Sequence, residues 1–584
     1  MGAELRSRLG AWRWAAGAFA LAVLALLAPW PRIAVPAEEA GKADAVEPGT
    51  SLIGNFLAGR HAYAQRDIAA AARFYAAALK LAPEDPDLLR RAFALSVQDG
   101  RVKEALPIAQ RLVAFDAKEA LAAVLLVVDD VKGRRFAAAG KKLGAWTDGG
   151  LNSLLGPLLA AWALVGEGKA EEALAALKAL EAQDKAPELY NLHVALVHEF
   201  AGRAADAESH YLKVTGSDAW LSLRVTLLLG GLYERTGRAD KAKETYRKYV
   251  AEHPGTQLLD DDVVRAQAGG APEPRIRTAQ VGAAEALLSV AVSRRRPNAP
   301  DIALMLGRMA LYLRPDFPVA QFLVGEILEA QERLESANAV YGAIDRGSSF
   351  AWMARQRLAA NLNKMDRPDE AAQQLRAMAK ERADKHGPLV SLGDILRGRQ
   401  RFDEAVEAYD QAFQRVPVVE RQHWSLLYAR GIALERSKKW ERAEADFLKA
   451  LEFEPNQPHV LNYLGYSWVE KGMHLDRAKA MIEKAVELRP NDGYIVDSLG
   501  WVYYQLGEYE KAVRELERAV ELRPEDPVIN DHLGDAYWKV GRQLEARFQW
   551  QRSLTLKPEP DLVAAIAKKL EKGPVEQAKT GGNG

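Results

Sequence analysis

The chain has 584 residues, 48% hydrophobic and 27% charged, an ordinary globular composition with enough apolar content for a continuous core. Lys+Arg and Asp+Glu both total 79, so the formal net charge is zero and bulk electrostatics give no case for a nucleic-acid partner. There is no cysteine, which excludes disulfides, thiolate metal sites, cysteine nucleophiles and an acylated lipoprotein Cys.

At the N-terminus, Arg6, Arg8 and Arg13 precede an apolar run from Trp14 to Trp30, and Val35-Pro36-Ala37 offers a small-residue cleavage site. Residues 1–37 therefore read as a secretory signal peptide or as an uncleaved membrane anchor, because the run sits at the border between the two lengths. A buried core helix is a third reading. The arginines lie on the N-terminal flank, so both leading readings export everything after residue 38. Residues 38–50 are short, polar and aperiodic, as a linker should be.

From Leu52 onward one apolar pattern recurs about every 34 residues. Gly59, Ala71, Tyr75, Ala78 and Pro83 mark the first copy, and degenerate copies follow around Ala105, Ala139, Ala173 and Ala207. The sixth is sharp again, with Leu229-Gly230, Tyr233, Ala242, Tyr246 and Pro254 closing an N-terminal array over 51–254. Residues 255–280 break the period with Gly, Pro and three aspartates, and read as an irregular joint between two arrays. Asp260, Asp261 and Asp262 either pair with Arg294, Arg295 and Arg296 or form a separately solvated run. A longer hairpin from Val281 to Pro315 opens a C-terminal array over 281–560. Residues 561–572 read as a capping helix with Leu562, Ile566 and Leu570 inward and its lysines outward; 573–584 read as a disordered tail.

Three copies between 458 and 560 are clear: LNYLGYSW, VDSLGWVYYQLG and INDHLGDAYWKVG, each followed by a second apolar run. Pro455, Pro490, Pro524 and Pro558 close successive copies at spacings of 35, 34 and 34. Leu-Gly, an aromatic three positions on, a small Ala and a closing Pro at this period form the tetratricopeptide signature. In the middle copy Val496, Leu499, Gly500 and Tyr503 form one helical stripe, Gly507 ends the helix, and Ala512, Leu516 and Ala519 line a second. Gly500 and Ala512 are small where the two helices approach. The expected fold is all-α, a right-handed tetratricopeptide solenoid of about fourteen helix-turn-helix repeats behind the N-terminal signal or anchor.

No GxSxG, HExxH, phosphate loop or zinc-ligand spacing is present, so no enzyme activity, cofactor or metal is expected. Asp531 and Asp535 lie one turn apart beside His532, which leaves a metal-dependent enzyme as a reading of another class; the alternative for His532 is packing on the neighbouring copy. If the core takes positions 4, 7, 8 and 11 of each copy, positions 2, 5, 9 and 12 line the inner groove. These are Asn462 and Tyr466, then Tyr494, Asp497, Trp501 and Tyr504, then Asp531, Asp535 and Trp538, with Tyr428 one copy upstream. Aromatics suit binding hot spots, and the aspartates favour a partner carrying Lys or Arg. The same residues also suit bonding between adjacent repeats. Trp550 reads as core.

The stretches NYLGYSWVEKGMHLDRA, DGYIVDSLGWVYYQLGEYEKAV and INDHLGDAYWKVGRQLEARFQW resemble bacterial, chiefly alphaproteobacterial, envelope tetratricopeptide proteins, among them the adaptor lipoproteins of periplasmic carboxyl-terminal processing proteases. The resemblance implies a periplasmic scaffold or adaptor, without catalysis, that gathers a protease and its substrates; the chain departs from it in lacking a lipobox Cys. An assembly factor for a polysaccharide-export or secretion complex is the alternative. Membrane contact is expected only through the N-terminal segment.

Overall fold

The computed structural model describes residues 46–146, 149–181, 186–214, 219–253, 256–294 and 299–573. The N-terminal apolar run with its cleavage motif, Arg295, Arg296 and the tail after 573 lie outside the described residues.

Among the described residues there are thirty α-helices, α1 to α30, one short 3-10 turn and no strand. In order they are α1 Leu52–Ala64, α2 Ile68–Leu81, α3 Pro86–Gln98, α4 Val102–Phe115, α5 Ala120–Lys132, α6 Phe136–Leu143, α7 Asn152–Gly166, α8 Ala170–Glu181, α9 Pro187–Phe200 and α10 Ala204–Val214. Then come α11 Ala219–Arg235, α12 Ala239–Glu252, α13 Asp260–Gln267, α14 Ala279–Arg294, α15 Pro300–Leu313, α16 Pro318–Ala330, α17 Leu334–Gly342, α18 Ser349–Lys364, α19 Pro368–Glu381 and α20 Gly387–Gly398. The last ten are α21 Phe402–Gln414, α22 Trp424–Arg436, α23 Trp440–Phe453, α24 Pro458–Glu470, α25 Leu475–Leu488, α26 Gly493–Gln505, α27 Tyr509–Leu522, α28 Pro527–Lys539, α29 Gln543–Thr555 and α30 Pro560–Lys572. With α13 and α30 set aside they run as fourteen consecutive helix-turn-helix pairs. The fold is a tetratricopeptide solenoid.

Local chemistry sets each pair. Asp492 caps α26 through Tyr494 N, and Asp526 caps α28 through Val528 N and Ile529 N, so the first orphan donors of both helices are satisfied. The described turns inside the pairs carry a left-handed residue. Gly507 supplies it at φ 79°, whereas Lys438 holds the same turn at φ 62° with a Cβ in place. The small residue of the first helix makes room for a large one on the second. A Cβ at Gly230, Gly325, Gly393 or Gly534 would come within 2.3, 2.3, 2.4 and 2.5 Å of Tyr246, Tyr341, Tyr409 and Trp550. At Gly500 it would meet Leu516 Cγ at 2.5 Å and Leu516 N at 3.2 Å, so side chain and backbone both close that space.

The described residues divide into two compact units, split between Arg91 and Ala92. In the first, α1 packs on α2, and Phe56 meets Tyr75 edge to face at 5.7 Å. The stretch 255–280, expected to be an irregular joint, lies inside the second unit and carries α13, packed on α12. Its aspartates are not a solvated run. Asp262 is buried and bonded to Arg265 at 2.5 Å and Arg275 at 3.1 Å, and Asp260 pairs with Lys385 at 2.8 Å.

The hairpin α14–α15 does more than open the next array. α14 packs across α5, α7 and α9, the first helices of three earlier repeats, and α15 reaches α4 and α5. Gly282 of α14 meets Trp162 of α7 so closely that a Cβ would stand 2.2 Å from the indole. Trp162 Nε1 donates to His193 Nδ1 at 3.1 Å, and burial holds the His193 imidazole down at about 4. Beside them Arg224, 7% exposed, donates two bonds of 2.6 Å to the fully buried Glu285 of α14. The face lined by these first helices is thus filled by the chain's own helix.

Candidate partner-binding groove

The ten groove positions lie on α22, α24, α26 and α28, and the structure separates them into three groups. The first is consumed between repeats. Asp497 on α26 is 7% exposed, and His532 Nδ1 on α28 lies 2.9 and 3.2 Å from its two oxygens. The same imidazole stacks on Trp501 at 4.1 Å, Trp501 stacks on Tyr504 at 4.8 Å, and the indole Nε1 donates to Glu470 on α24 at 2.7 Å. Burial opposes the His532 charge, but the charge of Asp497 and its hydrogen bond outweigh it, so the imidazole titrates above its ordinary value. His532 packs on the preceding copy.

The second group is covered by the cap. Asp531 and Asp535, 4% and 5% exposed, converge on Lys569 Nζ of α30 at 2.7 Å each. Asp535 also accepts from Trp550 Nε1 at 3.0 Å, as Asp394 accepts from Tyr409 Oη at 2.7 Å in an earlier repeat. Burial and then the neighbouring Asp531 charge push the Asp535 carboxyl up, against the pull of Lys569. Trp538 lies tilted on Trp550 at 5.5 Å, with Gly573 against its far side. Ile566 of α30 is fully buried, and Leu562 and Leu570 pack on the same cluster, while Lys568 and Lys572 are exposed.

One expectation is therefore corrected. The three aspartates do not present an acidic face to a basic partner, because each is buried and bonded to a lysine or histidine of this chain. Asp531 and Asp535 meet on the Lys569 ammonium group, and no group of three or more metal-ligating side chains occurs among the described residues. The lysines of α30 do not all face outward either. Lys569 is the residue that sequence reasoning missed; Asp531 and Asp535 one turn apart with Lys569 on an amphipathic terminal helix were its signal.

The third group remains open. Tyr428 on α22 meets Tyr463 edge to face at 6.1 Å, and burial pushes its phenol up to about 12. Asn462 and Tyr466 on α24 are half-buried. Burial, then Glu470 and Asp497, raise the Tyr466 phenol, so it stays neutral. Asn462 Oδ1 is buried and accepts no hydrogen bond. Tyr494 stands 48% exposed at the rim, with Arg523 5.0 Å over its ring.

Tetratricopeptide repeat models match residues 225–256 and 390–458, and a TPR repeat model matches 500–541. Three stretches of the chain thus match tetratricopeptide repeat models, in keeping with the fold. The TPR repeat-containing protein PA4667 of Pseudomonas aeruginosa is 30% identical to it over 153 residues, which cover 26% of this chain and 25% of that relative. The repeat protein thus spans about a quarter of that relative's length. Among solved structures, a chain of the APC/C hetero-tetramer Cut9–Hcn1 is 16% identical with a TM-score of 0.36, covering 88% of this chain and 95% of its own. Yeast Tom70 is 15% identical with a TM-score of 0.29, covering 89% and 95%.

Proposed function

We propose that the protein is a non-catalytic scaffold that binds an extended segment of a partner protein on the face carrying Tyr428, Asn462 and Tyr466. The observation that carries this is the acceptor of Asn462, buried without a donor. An unsatisfied buried acceptor costs about 1–3 kcal/mol, which a peptide N–H recovers on binding. Asn462 as a whole is half-buried, so its amide stands at the edge of the exposed face. Tyr466 lies one turn further along α24 and Tyr428 packs on Tyr463 of the same helix; both keep neutral hydroxyls, the chemistry that grips a backbone without demanding a charged side chain. Selection of a peptide library on the full chain tests the site. Selected peptides lose about tenfold in affinity on Asn462→Ala and keep it on Tyr494→Ala; equal binding to both variants removes the site.

The partner we propose is an envelope protein, and the location the periplasm, on the arginine-flanked apolar run at the N-terminus and the resemblance to envelope adaptors. A reporter that folds only after export, fused behind residue 573, is active under this reading. An inactive fusion at normal expression places the protein elsewhere.

A further inference from the structure

A second concave site lies away from the groove, where α15 closes on the start of α4 and the end of α5. It is a cavity of about 480 Å³ lined by four cations, Arg101, Lys103, Lys132 and Arg308, and a single carboxylate, Glu104. Asp99 stands behind it on Arg101 Nε at 2.9 Å and Asp129 on Tyr312 Oη at 2.9 Å, so four cations face three acids.

Two of the cations, Arg308 and Lys132, are held in place at a cost. Arg308 reaches from α15 to donate to Gln98 O at 3.3 Å, and its guanidinium lies over Gly100, whose φ of 87° and missing side chain admit it. Burial, then the charge of Arg333, pull Arg308 down to about 10. Lys132 is lowered by burial and then by Lys103; its ammonium sits 3.8 Å over the Tyr312 ring. Arg101 also bonds Glu104 at 3.4 Å through Nη1, while its Nη2 is buried with no partner. α4 begins at Arg101 without a side-chain cap, so its first N–H groups add to the positive field.

Like charges gathered in a partly desolvated cavity destabilise the chain unless an anion joins them. We propose that this cavity binds a ligand through a phosphate group. The lining sets the forked guanidinium donors of Arg101 and Arg308 beside the ammonium groups of Lys103 and Lys132, and the several oxygens of a phosphate take more of these donors at once than the two of a carboxylate. The volume exceeds that of a bare phosphate and suits a phosphorylated small molecule or a lipid headgroup. Because Arg308 belongs to α15 and the other cations to the early repeats, the bound ligand ties the inserted hairpin to the array.

Calorimetric titration of the full chain with inorganic pyrophosphate at fixed ionic strength tests this. Wild type binds, with a raised melting temperature, and Lys103→Gln, an exposed position that leaves packing intact, weakens binding about tenfold. Arg308→Gln abolishes it, with circular dichroism and peptide binding at the groove confirming the fold. Flotation with vesicles of phosphatidic acid and phosphatidylcholine separates the sources. Vesicle binding displaced by pyrophosphate assigns a headgroup; pyrophosphate binding alone assigns a soluble phosphate. No binding to either, or binding that Lys103→Gln leaves unchanged, overturns the proposal.

Discussion

The same register positions do opposite things in two stretches of the second unit. On α5 and α7 they carry Val124, Val128, Leu158 and Trp162, all fully buried under α14. On α22 and α24 they carry Tyr428, Asn462 and Tyr466, which no inserted helix covers. A solenoid builds an inner face wherever it repeats, and the side chains at that register decide its occupant. An apolar face collects a helix that is mostly apolar, as α14 is from Ala279 to Ala291 apart from Gln280, Ser289 and the paired Glu285. A face of tyrosine and amide stays open to a polar backbone.

Breaking the filled face should have the largest effect. Arg224→Ala leaves the Glu285 carboxylate buried and unpaired, and should cost about 3–5 kcal/mol in denaturant melts and open the 255–280 segment to proteases. A variant as stable as wild type would mean that α14 is not locked there. Next is the cap over the other face. Lys569→Met strips the partner from Asp531 and Asp535 and should cost about 2–3 kcal/mol, less than Arg224→Ala because Asp535 already leans towards its neutral form. Melts of this variant at pH 5 and pH 8 should differ more than those of wild type.

A smaller effect sharpens the contrast through His532. Its folded pKa lies above the unfolded value, so its stabilisation is fully present below about pH 6.5 and is lost as pH rises through the folded value. His532→Phe should therefore cost more at pH 6 than at pH 9, and a constant difference would show that the Asp497 pair does not matter. Smallest is a gain. Lys438→Gly relieves the left-handed backbone between α22 and α23 and should add up to about 1 kcal/mol, leaving peptide affinity at Tyr428 unchanged.

Period, turn glycines and closing prolines sufficed for the repeat architecture, because each repeat is a local object whose stripe and turn are written within one period. The site was only partly legible. Helical geometry gives which way Asp497, Asp531 and Asp535 point, yet not whether another part of the chain arrives to bond them, and Lys569 is 34 residues from its nearer partner. Glu285 and Arg224 are 61 apart and belong to helices whose neighbourhood departs from the repeat order. That departure left a trace all the same: groove positions that read Val, Val, Leu and Trp require a cover. Asn462 was visible as a groove residue, but its missing donor is a property of three-dimensional surroundings alone.

The ion pairs of Lys569 also bear on how many copies of this chain can associate. The end of a repeat stack offers to any copy the surface its own next repeat would have used, and such a head-to-tail contact has no symmetry that closes it. α30 occupies that surface at Ile566 and, through Lys569, keys itself to two carboxylates that an ordinary repeat helix, with Ala or Leu at the same place, leaves unsatisfied. Truncation before Pro560 should therefore bare that surface and raise the apparent mass in sedimentation.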